Sequence, residues 1–159
     1  MRGGNHSKLF IGAEMRTIKI LLMILLSPCI GIARSNKQDL TCLTQAVYFE
    51  ARGESYEGRL AVANVVMNRY NTGRYKSVCD VTAEKSQFSW WNNRRRKISE
   101  KAKWEEAFLI SESVYYGLTK DNTNGATFFH EKKIRPRWSK KLTRVGVIGS
   151  HVFYSLAKL

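Results

Sequence analysis

A carboxylate interrupts an apolar helical stripe in this chain. Leu40, Leu43 and Val47 recur at steps of three and four, the spacing of one helical face, and Glu50 takes the next place on that face. Where the pattern asks for another Leu or Val, a Glu loses water. Lost hydration disfavours the charged form and raises the pKa, the state that suits a general acid near neutral pH. The rival reading is a buried Glu held by Arg52, Arg59 or backbone N–H groups. Two helices in tandem follow from the same stretch, YFEARGESYEGRLAVANVVMNR, running from Tyr48 to Arg69.

The first helix is expected from about Asp39 to Arg52, with Gly53 as the left-handed residue after its end. Ser55 is placed to cap a second helix that turns Leu60, Ala63, Val66 and Met67 inward and stops near Tyr70. Thr72-Gly73-Arg74 reads as a turn, and Ser77 as the cap of a short helical stretch holding Cys79. Glu84 to Lys97 reads as an irregular loop. A third long helix fits Glu100 to Tyr116, closed by Gly117, with Trp104, Ala107, Phe108, Ser111, Val114 and Tyr115 on one side. After the turn signal Asp121-Asn122-Thr123-Asn124-Gly125, the segments Ala126 to His130, Thr143 to Ile148 and His151 to Tyr154 favour strands. Helices first and a small antiparallel sheet afterwards define a mainly helical α+β domain.

Residues 1–33 read as an N-terminal extension plus a leader, and residues 34–159 as one domain. Met15 offers a second start, after which Arg16 and Lys19 precede an apolar run from Ile20 to Ala33 broken by Pro28 and Gly31. That order describes a secretory signal, with cleavage before Arg34, or an uncleaved anchor. Cys29 lies in the leader, which leaves Cys42 and Cys79. An even pair in an exported chain points to a disulfide; the alternative is two buried thiols. The net charge is +14 overall, and from residue 34 onward 23 Lys and Arg stand against 12 Asp and Glu. Such a field concentrates polyanions. For an exported protein, anionic wall polymers and membrane surfaces are the expected partners, and nucleic acid is the disfavoured one. Asn92 to Lys97 is the densest basic cluster.

The segment CLTQAVYFEARGESYEGRLAVANVVMNR resembles the signature of the SleB/CwlJ-type cell wall hydrolases, the spore cortex-lytic enzymes and their relatives. Three further blocks match in order: the Cys79 region with SQFSWW, then GATFFH, then IGSHVFY. Together they span Cys42 to Tyr154. The resemblance implies a lysozyme-like fold, cleavage of peptidoglycan glycan strands, and Glu50 as the catalytic acid. No cofactor is expected. A separate wall-binding repeat of the kind the spore enzymes carry is not expected here, which makes the positive charge the candidate for targeting.

The chemistry agrees with the residues. Cleaving a β-1,4 glycosidic bond needs an acid for the leaving oxygen, and conventional hydrolases add a second carboxylate as base or nucleophile. In a lytic transglycosylase the muramyl 6-hydroxyl attacks instead, and one Glu suffices. Glu54 is the nearest second carboxylate in sequence; a structural anchor at the N-terminus of the second helix is its other reading. Sugar rings present flat apolar faces rimmed by hydroxyls, so the run Gln87, Phe88, Ser89, Trp90, Trp91 is assigned to the glycan groove, with one Trp expected in the core. Phe128, His130 and His151, in the two C-terminal blocks, are assigned to the same cleft. No metal is expected, since the two histidines have no metal-ligand spacing. The expected protein is an exported monomeric lytic transglycosylase of the periplasm or wall, with a phage endolysin as one form of it. The alternatives are a zinc-dependent amidase using His130, His151 and a carboxylate, or a non-enzymatic basic wall- or nucleic-acid-binding module.

Overall fold

A computed structural model describes residues 29–84, 88, 90 and 97–156, with side chains from Asn36 onward. The expected leader lies almost wholly outside the described residues. Among these, no helix is long and apolar enough to cross a membrane. The contacts of the fold close within Asn36–Leu159.

The described helices are α1 (Cys29–Ala51), α2 (Tyr56–Asn71), α3 (Val78–Ala83) and α4 (Lys101–Tyr115). Strands β1 (Phe128–Glu131), β2 (Thr143–Ile148) and β3 (His151–Ser155) follow, with a 3-10 turn at Arg137–Lys141 between the first two. The sheet is antiparallel in the order β1-β3-β2. The α+β architecture read from the sequence is therefore the one observed.

Helix α2 organises the molecule. Its central segment, Leu60 to Met67, is apolar except for Asn64, which suits a helix buried on more than one side. Leu60, Ala63 and Val66 face Leu43, Val47 and Tyr48 of α1, Val78 and Val81 of α3, and Ala107, Ile110 and Val114 of α4. On another side, Ala61 and Val65 meet Ala126 and Phe153, so the same helix carries the sheet. Emptying sites of this kind costs about 2–5 kcal/mol each.

Local signals explain the ends of the elements. The Ser55 hydroxyl accepts from the Gly58 N–H and that of Ser77 from the Asp80 N–H, satisfying first-turn donors of α2 and α3. Glu100 at the start of α4 makes no such bond. Buried Tyr48 supplies the acceptor instead, its hydroxyl taking the N–H groups of Ser99 and Glu100 at 3.2 Å each. The loop that leads into β1 is tied to α2 by three polar side chains. The Asn68 amide donates to the Asp121 carboxylate, the Thr123 hydroxyl and the Ala126 carbonyl. Asn64 reaches Asn122, and the Arg69 Nε donates to the Thr127 carbonyl.

Several expectations are corrected. Helix α1 begins at Cys29, ten residues before Asp39, and ends at Ala51. Gly53 does not take the left-handed conformation; the chain turns through the Glu54 N–H bonded to the Ala51 carbonyl at 2.9 Å. On α4, Phe108 is exposed and Ile110 is buried, because the core lies along 107, 110, 111 and 114. Strand β1 starts two residues late, since the Ala126 N–H is held by the Thr123 carbonyl in the preceding turn. Cys42 of α1 and Cys79 of α3 form a disulfide, 37 residues apart in sequence. A bridge of that span stabilises a fold by roughly 3–4 kcal/mol in the chain-entropy picture.

Candidate active site

Glu50 and Glu54 line one cavity of about 340 Å³, where the α1–α2 junction meets the β2–β3 turn. Glu50 is half-buried, one residue before the end of α1. Glu54 lies in the connection, with its main chain fixed from α2: the Arg59 guanidinium donates to the Glu54 carbonyl at 3.0 Å and pairs with Glu106 of α4 at 3.1 Å. The helix break at Gly53 therefore leaves both carboxylates on the same cavity.

The Glu54 side chain is enclosed by two glycines. A Cβ on Gly58 would stand 2.8 Å from its Cβ, and one on Gly149 would collide with its Oε2. Gly149 and Ser150 form the two-residue turn between the paired residues Ile148 and His151, and Gly149 takes a φ of 55°. Glycine first in such a hairpin turn meets the positive φ that the turn requires. The turn presents the Ser150 N–H to Glu54 Oε2 at 3.0 Å. Burial pushes the Glu54 carboxyl up, but the hydrogen bonds from Ser150, with the Lys132 ammonium nearby, more than offset this and hold it below the usual range. Glu54 is therefore ionised at neutral pH.

His151, Glu131, Lys132 and Lys133 complete the cavity. Glu131 pairs with His151 across the β1–β3 ladder. His151 is buried, and burial lowers its pKa against the pull of Glu54 and Glu131, which keeps the imidazole neutral. Its ring stands edge-on to Phe129, with centroids 5.2 Å apart.

Of the residues assigned from sequence, Glu50, Glu54 and His151 come together, whereas Phe128 and His130 do not join them. Alternation along β1 turns these two to the other side of the sheet. There His130 stacks on Tyr154, bonds its hydroxyl at 3.0 Å and meets Trp138. Phe128 packs against Trp138 and the Arg69 guanidinium and lines a different cavity of about 400 Å³. His130 and His151 thus face opposite ways, an arrangement that does not converge on one metal ion. Among the described residues, no three His, Cys, Asp or Glu side chains form a metal-binding group.

Phe88 and Trp90 are buried in the helical core, at 1% and 5% exposure, with Trp90 against Phe49 at 5.1 Å. Trp90 is thus a Trp in the core, as expected of one of the two, while the assignment of Phe88 to the groove is corrected: a ring that fills a core offers no face to a sugar. Gln87, Ser89 and Trp91 lie outside the described residues. Sequence reasoning passed over Glu131, Lys132, Lys133, Gly149 and Ser150. Gly149 and Ser150 stood in the IGSHVFY block already singled out, and its Gly-Ser turn was the signal available.

The solved structures most like this fold include the catalytic domain of the Bacillus cereus SleB protein, at 26% identity and a TM-score of 0.64, covering 75% of this chain and 91% of that one. A second is the catalytic domain of the germination-specific lytic transglycosylase SleB from Bacillus anthracis, at 25% identity and a TM-score of 0.61, covering 74% and 93%. Among curated relatives, the spore cortex-lytic enzyme of Oceanobacillus iheyensis is 28% identical over 129 residues, which is 80% of this chain and 45% of the relative. That of Halalkalibacterium halodurans is 30% identical over 117 residues, 72% of this chain and 34% of the relative. The chain thus spans less than half the length of these curated relatives. The family model described as Cell Wall Hydrolase matches residues 53–154, beginning just after Glu50. With most of its length matched, this chain belongs to the cell wall hydrolase family.

Proposed function

We propose that the chain is an exported lytic transglycosylase that cleaves the MurNAc–GlcNAc bonds of peptidoglycan, with Glu50 as acid and then base. The observation that carries this reading is that Glu50 lines the cavity of a cell wall hydrolase family member whose fold is similar to the catalytic domain of a lytic transglycosylase. Glu50 protonates the oxygen leaving C1 of the muramyl residue, and the glycosidic bond breaks. The muramyl 6-hydroxyl then attacks C1 and returns its proton to Glu50, closing a 1,6-anhydro ring without consuming water. Glu54, kept ionised by Ser150, sets a fixed negative charge against the oxocarbenium-like transition state. The Cys42–Cys79 bond supports export, because such bridges persist in oxidising compartments.

A second reading has its own observation. Glu54 lines the same cavity as Glu50, so the pair could serve a hydrolase in which one carboxylate activates water or attacks C1. The products separate the two. Mass spectrometry of muropeptides released from purified sacculi is expected to find anhydro ends, each one water lighter than its hydrolysed counterpart. Reducing ends throughout would make the protein a muramidase. In either reading Glu50→Gln keeps the fold and lowers turnover by roughly 10²–10⁴-fold, the usual contribution of general acid catalysis. Equal clearing of wall suspensions by variant and parent would remove Glu50 from the mechanism.

A further inference from the structure

The cavity of Glu50 and Glu54 has a cationic wall. Lys132 and Lys133 line it, immediately beyond the end of β1. The Lys132 N–H is bonded to the Ser150 carbonyl at 2.8 Å, so this wall is fixed to the turn that holds Glu54. The chain then keeps one sign of charge. Residues 132–144 hold seven Lys and Arg and no Asp or Glu, and all seven side chains are exposed. None of them is in a salt bridge with a described carboxylate. Offsetting the three cavity carboxylates could occupy Lys132 and Lys133, yet it gives no role to the five cations from Arg135 to Arg144.

A glycan backbone of N-acetylated amino sugars carries no charge, but the peptide stems borne by muramyl residues end in free carboxylates. The stem is borne by the muramyl residue whose C1 bond would be cut, and Lys132 and Lys133 line the same cavity as Glu50. We propose that this wall binds the carboxylates of peptide stems, so that the enzyme selects peptidoglycan whose stem carboxylates are free over peptidoglycan in which they are amidated. The inference rests on the proposed function and adds a substrate class to it.

The test uses the full protein and sacculi freed of accessory polymers, either native or with their carboxyls amidated by carbodiimide coupling. Initial release of muropeptides at limiting substrate is compared for the two. The parent is expected to favour native sacculi by about three- to tenfold, the scale of a few solvent-exposed ion pairs. Raising salt from roughly 0.05 to 0.5 M should narrow the ratio. Lys132→Gln with Lys133→Gln should bring it near one, while the corresponding arginine pair retains it. Equal rates on both substrates by the parent, or a glutamine pair that keeps the parent's ratio, would overturn the proposal. Reducing-end products with the carboxylate preference intact would change the reaction type and leave the inference standing. No strand cleavage in either preparation would bring down the proposed activity and this inference together.

Discussion

Glu54 owes its position to residues far from it in sequence. Its carboxylate accepts from the N–H of Ser150, 96 residues away, and fits only because Gly149 has no Cβ. Gly149→Ala would set a methyl group into the carboxylate and place a non-glycine residue at a φ of 55°. Strain of that kind costs roughly 1–3 kcal/mol. The expected outcome is a lower Tm together with weakened wall clearing, since Glu54 must move. A parent-like Tm and rate would mean that the turn does not position Glu54. At this scale the sequence made Glu50 legible, because a carboxylate breaking a run of Leu and Val is visible without coordinates. Ser150 and Gly149 were not, since what demands them is a contact between segments that no local pattern records. Phe88 misled for a related reason: a ring beside polar residues looks the same in sequence whether it fills a core or lines a groove.

Among the elements, α2 joins the junction that carries Glu54 to the loop before the sheet. Gly58, near its start, makes room for Glu54, and Asn68, near its end, holds the loop that launches β1. The loop is built on Asp121, which accepts from the Thr123 and Gly125 N–H groups. Asn68→Ala removes three bonds and leaves the half-buried amide's partners to find water. A side chain serving several acceptors should cost about 1–3 kcal/mol, read as a lower denaturation midpoint with an unchanged m-value. An unchanged midpoint would show that the loop stands without it. The caps of α2 and α3 and the three strands could be read from sequence, because Ser55, Ser77 and the alternating segments act locally. The dependence of α4 on Tyr48 could not, since its cap comes from another helix.

For the molecule as a whole, three titrating groups give stability the same dependence on pH. His151 is buried and kept neutral below its ordinary pKa of 6.5, so the unfolded chain takes up a proton that the fold refuses. The contribution of His151 is therefore complete above that pH and is lost as pH falls towards the lowered folded value. Glu54 and Asp121 are held below their ordinary 4.5 and 3.8. In each case burial opposes the shift, and hydrogen bonds from Ser150, or from Thr123 and Asn68, outweigh it. These carboxylates contribute above their ordinary values and lose that contribution as pH falls through the depressed ones. All three slopes have one sign: the Tm should decline in an upper limb below pH 6.5 and in a lower one below 4.5. One proton changes stability by at most about 1.4 kcal/mol per pH unit, enough to resolve the limbs in a thermal series. His151→Leu should flatten the upper limb and leave the lower. A parent Tm that stays level from pH 7 to about pH 5 would mean that the buried imidazole takes its proton as readily as a free one.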